Sequence, residues 1–149
     1  GPFENYIDRY SGAFIGRYED KVENQFYWYI RPQETGNKTD VRWLTLLDSG
    51  GLGVKITGLQ PISFSALHFS PEDLDPGLTR KLQHTIDIVP QKNIFLHVDL
   101  KQRGLGGDNS WGMYPHNEYR LLDKKYTYSY MIELVEKGSD KNDYLNSRK

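Results

Sequence analysis

Eight short runs rich in β-branched and aromatic residues constrain this chain more than any other feature: residues 26–30, 41–47, 53–57, 62–66, 83–89, 94–100, 118–122 and 126–135. Such residues fit a pleated, half-buried surface and are stiff in helices. Turn signals separate the runs: Thr35-Gly-Asn37, Asp48-Ser-Gly-Gly51, Pro90-Gln91 and Asp123-Lys-Lys125. Within residues 83–89 the alternation predicts Ile86 and Ile88 on one face with His84, and Thr85, Asp87 and Val89 on the other. No alternation of strands with full helices occurs, which excludes a complete TIM barrel or Rossmann unit. The layout predicts an antiparallel all-β fold.

Helix signals are brief. Ser70-Pro-Glu-Asp73 offers a Ser cap, a Pro at the first helical position and acid in the first turn, and Asp75-Pro76 ends the helix within a turn. Residues 6–12 suit another short turn. At 149 residues the chain has the length of one domain. The sandwich is expected over residues 1–136, with a polar, frayed tail over 137–149. The start has no initiator Met, basic segment or apolar segment, so a piece of a longer polypeptide is expected.

Charge and composition narrow the function. The 19 basic and 20 acidic residues leave a net charge of −1, which does not favour nucleic acid. No stretch reaches the roughly 18 apolar residues of a membrane helix. Zero cysteines remove disulfides, thiolate catalysis and thiolate metal sites, and do not fix the compartment. His68, His84, His97 and His116 stand apart, without spacing suited to zinc. His84 and His97 are expected as hydrogen-bonded strand residues. Hydrolysis by a pair of carboxyl groups needs them roughly 5–5.5 Å or 6.5–9.5 Å apart. Among the pairs Glu19 with Asp20, Glu72 with Asp73, and Asp108 with Glu118, the first points to opposite faces if extended and the second suits the start of a helix. No catalytic residue and no metal ligand is assigned.

Two strings are more idiosyncratic than packing requires, Gly1-Pro-Phe-Glu-Asn-Tyr-Ile-Asp-Arg9 and Gly104-Leu-Gly-Gly-Asp-Asn-Ser-Trp-Gly112. The second lacks the Lys-Ser/Thr and following helix of a phosphate loop. Its residues read as a tight connection. Gly104, Gly106 and Gly107 take positive φ or approach another backbone, Asp108 and Asn109 bond local amides, and Trp111 anchors in the core. In the first string, Glu4, Asn5, Asp8 and Arg9 suit a hydrogen-bond and salt-bridge network that locks the loop. Phe26-Tyr-Trp-Tyr29 suits a sugar platform, a buried strand or an interdomain contact.

These strings, with Tyr29-Ile-Arg-Pro-Gln-Glu-Thr-Gly-Asn37, Thr39-Asp-Val-Arg-Trp43 and Phe64-Ser-Ala-Leu-His-Phe-Ser-Pro-Glu-Asp-Leu74, resemble the C-terminal domain of bacterial β-galactosidases of glycoside hydrolase family 2. That is the galactose-mutarotase-like small-chain domain, and the resemblance runs from Gly1 to about Tyr130. It implies the C-terminal part of an antiparallel β-supersandwich, whose open strand edges could also support a homo-oligomer. It implies a parent that hydrolyses terminal β-galactosides with retention, using glutamates, magnesium and sodium in other domains, so that no cofactor is expected here. The expected partners are those domains, above all the catalytic barrel, and the β-galactoside itself. Glu4, Asn5 and Arg9 are then expected at the pocket mouth as substrate-binding residues. The alternative is a stand-alone carbohydrate-binding module using the aromatics around Trp28 or Trp111.

Overall fold

The structure, a computed structural model, describes residues 2–75, 77–79, 83–109 and 111–138. From residue 139 onward the expected tail lies outside the described residues. The architecture is antiparallel all-β. Four strands, β1 (Lys38–Leu47), β2 (Leu52–Leu67), β3 (Phe95–Asp99) and β4 (Tyr130–Glu136), form one sheet. The 16-residue β2 is its spine. β1 pairs along one edge of β2, β3 pairs with residues 63–67 on the other edge, and β4 pairs with residues 52–58 on that same edge.

β1 and β2 form a hairpin. Asp48 accepts the Leu52 N–H on its side chain at 2.9 Å, and its backbone N–H donates to the Leu52 carbonyl at 2.8 Å. Two irregularities bend the hairpin. Between Lys38 and Val41 the register slips where Asp40 has φ +56°, a left-handed conformation that Asp tolerates better than most residues. Between Trp43 and Val41 the slip falls on the β2 side, across Gly58 and Pro61, where a Pro without an N–H is at home in a bulge. Residues 53–57 and 62–66, expected as separate strands, are therefore one strand carried through a bulge.

Three other expected strands are not strands. In residues 26–30 the Tyr29 N–H bonds the Tyr27 carbonyl at 2.9 Å, a tight turn that breaks the extended run. In residues 83–89 the Asp87 side chain accepts the His84 N–H at 2.7 Å and the Thr85 hydroxyl bonds the Tyr29 carbonyl, giving a 3-10 turn over Thr85–Asp87. These side chains offer the backbone an alternative to a ladder. Ile88 is buried there while Ile86 is exposed, so the two do not share a face, and His84 caps the turn instead of lying in a strand. Residues 118–122 begin in a 3-10 turn, Asn117–Tyr119. The helix α1 (Pro71–Leu74) forms as expected, with Ser70 and Asp73 in a reciprocal capping box.

Alternation along the paired strands puts Leu44, Ile56 and Ile62 on one face with Leu46, Phe64, Leu96 and Val98, and this is one core. A second core of Phe26, Leu67, Phe69, Leu74 and Ile88 closes the end of β2, with the Phe26 and Phe69 rings 4.4 Å apart. His97 is half-buried on β3, as a strand histidine.

Candidate functional site

The site is built from the N-terminal arm. Glu4 and Asn5 are both 4% exposed and lie against the segment that enters β1. Asn5 donates its N–H to the Asn37 carbonyl at 2.8 Å, and its side-chain oxygen accepts the Thr39 N–H at 2.7 Å. The Asn37 amide returns a bond to the Asn5 carbonyl at 2.8 Å. The arm is thus sewn to the sheet by backbone and side chain together.

Both oxygens of the Glu4 carboxylate are engaged. One accepts from the Tyr29 hydroxyl, and the other accepts from the Thr35 hydroxyl and the Gly36 N–H, each at 2.7 Å. Arg9 donates to the Glu4 carbonyl at 2.9 Å and lies 3.8 Å from its carboxylate. Burial pushes the Glu4 carboxyl up, but the bonds from Tyr29, Gly36 and Thr35 and the Arg9 charge outweigh it and hold the group below its ordinary value. The same bond raises the Tyr29 hydroxyl to about 12, together with burial. Burial first, then the Glu4 charge, pushes the Tyr6 hydroxyl up. Gly36 has φ +77°, and a Cβ there would meet the Gln25 carbonyl oxygen at 2.4 Å, so the bond to Glu4 requires glycine.

The two idiosyncratic strings meet here. Asp8 accepts the Gly106 N–H on its side chain at 2.7 Å, across 98 residues of sequence. Glu4, Tyr6, Asp8, Arg9, Tyr29, Leu105 and Gly106 line one depression of about 270 Å³. Gly104 is buried and donates to the Tyr119 carbonyl at 2.7 Å. A Cβ on Gly104 would lie 2.8 Å from the Asp8 carboxylate and from Tyr119. A Cβ on Gly107 would lie 2.4 Å from the Met113 carbonyl oxygen. The close approach expected of these glycines is present at Gly104 and Gly107. Positive φ is present at none of the three.

Trp111 is a correction. Its side chain is 90% exposed and anchors no core. Asn109 does bond a local amide, accepting the Trp111 N–H at 2.9 Å, which fixes the turn that carries the indole outward. Asp108 bonds His116 Nε2 at 2.7 Å instead of an amide, and that contact raises the His116 pKa. Trp28 is also exposed, its ring edge-on to Phe26 at 5.0 Å.

In each of the three carboxylate pairs the aspartate is engaged locally, Asp108 with His116 as above. Asp20 accepts from Lys21, Asn24 and Gln25 at the start of a 3-10 turn. Asp73 is spent on the Ser70 cap and on Gln91. Among the described residues no three His, Asp or Glu side chains converge as metal ligands. Tyr29, Thr35 and Gly36 were not singled out from sequence as partners of Glu4. The signal was the buried pairing a lone Glu requires beside a Tyr-rich, Gly-containing run.

Residues 1–132 match the family model described as β-galactosidase small chain. The chain is 37% identical over 134 residues to a β-galactosidase of Priestia megaterium, covering 89% of this chain and 12% of that protein. It is 36% identical over 135 residues to a β-galactosidase of Streptococcus thermophilus, covering 89% of this chain and 13% of that protein. It is 35% identical over 124 residues to the β-galactosidase BgaC of Bifidobacterium adolescentis, covering 81% of this chain and 11% of that protein. The chain thus spans about an eighth of the length of the curated relatives it matches. With its two distinctive strings joined at Asp8 and Gly106 and a family match over nearly its whole described length, the chain belongs to the β-galactosidase small-chain family.

Proposed function

We propose that this chain acts as the small-chain domain of a larger β-galactosidase that hydrolyses terminal β-D-galactosides with retention. In this reading its sheet is one layer of a β-supersandwich, and the chain forms a wall of the active-site mouth without supplying acid, base or nucleophile. The observation that carries the reading is the state of Glu4. A retaining glycosidase needs one carboxyl held protonated as acid and a second free to attack the sugar. Glu4 has both oxygens bonded, is held ionised by its partners, and has a side chain 2% exposed. At neutral pH it is ionised and has no proton to donate. Asp8 and Asp108 are likewise bonded, to Gly106 and His116.

The contribution of the wall is then a shaped surface. The exposed Trp111 indole offers a flat apolar ring to the C–H face of a sugar and displaces water from it. Glu4 and Arg9 line the same depression as Leu105 and Gly106 of that loop, and Asn5 ties their arm to the sheet. The reading is tested by assaying the isolated chain with a chromogenic β-galactoside. No turnover is expected, and hydrolysis that persists through stringent purification would overturn it.

A second reading, a carbohydrate-binding module, is favoured by Trp28, which is 66% exposed. Titrating the labelled chain with galactose and lactose by NMR separates the two. Shifts clustered on Trp28 and its neighbours favour the module, and an unmoved Trp28 excludes it.

A further inference from the structure

We infer that Asp8 is the positioning residue for the Trp111 loop, an inference that rests on the sugar-facing role proposed above for the indole. Among the described residues of the stretch from Gly104 to Gly112, Leu105 and Trp111 are exposed, Asp108 bonds an exposed histidine, and Asn109 bonds within the stretch itself, to the Trp111 N–H. At the base of the loop, Gly104 donates to Tyr119 at 2.7 Å and Gly106 donates to Asp8 at 2.7 Å. The Asp8 carboxylate also fills the space that a Gly104 side chain would occupy, 2.8 Å from where its Cβ would stand. Asp8 therefore both holds the loop by a charge-assisted bond and dictates a glycine at its base.

Asp8 is itself rigidly placed. It lies in the 3-10 turn Ile7–Gly12, directly after Tyr6, which is 4% exposed. The next residue, Arg9, is tied back to the Glu4 carbonyl at 2.9 Å. A continuous path runs from the sheet entry at Thr35 and Gly36 through Glu4 and Arg9 to Asp8, and from Asp8 to the loop. The buried arm sets where the exposed indole stands. This is how a polar arm without free carboxylates shapes a binding surface.

The test is steady-state kinetics of the full-length β-galactosidase containing this chain, with a chromogenic β-galactoside. Asp8→Ala is expected to raise KM about tenfold, the factor of one lost bond to a charged acceptor, with kcat changed by less than about threefold. Asp8→Asn keeps an oxygen that accepts the Gly106 N–H and is expected to restore KM to within about twofold. Trp111→Ala should raise KM alike, and the double variant no further, because the two act through one contact. In the labelled chain, the Gly106 amide and the Trp111 indole N–H resonances should move in Asp8→Ala and hold in Asp8→Asn. If Trp111→Ala raises KM and Asp8→Ala leaves it unchanged, the positioning role of Asp8 is overturned and the sugar-facing reading stands. If Trp111→Ala leaves KM unchanged, the sugar-facing reading falls and this inference with it.

Discussion

Lys38 should make the fold more stable in mild alkali than at neutral pH. It begins β1, is 6% exposed, and its ammonium group donates to the Gly36 carbonyl at 3.1 Å. Burial pushes its pKa from the usual 10.5 down to about 8, against the opposing pull of Glu4 and Asp20. A folded value below the unfolded one means that the unfolded chain binds more protons between pH 8 and 10.5, so stability rises with pH across that window. At about 1.4 kcal/mol per pH unit, the gap between 10.5 and about 8 amounts to about 3 kcal/mol of destabilisation at neutral pH. Relief between pH 7.5 and 9.5 comes to about 2 kcal/mol, a sizeable part of a typical domain stability of roughly 5–15 kcal/mol. Above pH 10 the trend turns over, because Tyr29 and Tyr6 have raised values and the unfolded tyrosines ionise first. Lys38→Met removes the penalty but leaves the Gly36 carbonyl without that donor, at a cost of about 1–2 kcal/mol. The variant should be about 1–2 kcal/mol more stable than the parent at pH 7.5 and lose the rise toward pH 9.5. Urea unfolding followed by tryptophan fluorescence at pH 7.5, 8.5 and 9.5 measures both. A parent stability that is flat or falls over this range, or a variant with the same slope, would refute the reasoning.

Glu4 should govern the acid limb. Its folded pKa lies below 4.5, so its contribution is complete above the unfolded value and is lost as pH falls through the folded one. Glu4→Gln should cost about 2–4 kcal/mol at pH 7, from weakening several bonds to a buried charge, and should shift acid unfolding; a variant that melts with the parent at pH 7 contradicts this. Gly36→Ala meets both the left-handed backbone and the Gln25 carbonyl, and should lower stability by at least about 2 kcal/mol in thermal unfolding. A change below about 0.5 kcal/mol would mean that the arm can shift to admit a methyl group.

Much of the sheet was legible because its signals are local. Residues 41–47, 94–100 and 126–135 alternate or cluster apolar residues as strands do, and they became β1, β3 and β4 within a few residues. Residues 53–57 and 62–66 read as two runs although the chain carries one strand through a bulge, because only the partner strand reveals that pairing resumes. Residues 26–30 and 83–89 carry strand-like side chains, yet Thr85 bonds the Tyr29 carbonyl and each segment turns. That competition depends on a contact 56 residues apart. The polar lock at Glu4 was legible as chemistry, since a buried carboxylate needs several donors. The direction of Trp111 was not, because an aromatic among glycines is equally at home in a core or on a surface. The Asp8 bond to Gly106, which joins both strings into one site, has no signature in either string alone.

The central claim, that this chain shapes the site without performing the chemistry, is tested most directly by kcat of the full-length β-galactosidase carrying Glu4→Gln. The measurement is made at saturating galactoside and at a temperature where the variant remains folded. A structural Glu4 predicts a kcat within about tenfold of the parent. A fall of about 10⁴-fold or more, the scale seen when a catalytic group is removed, would contradict the account.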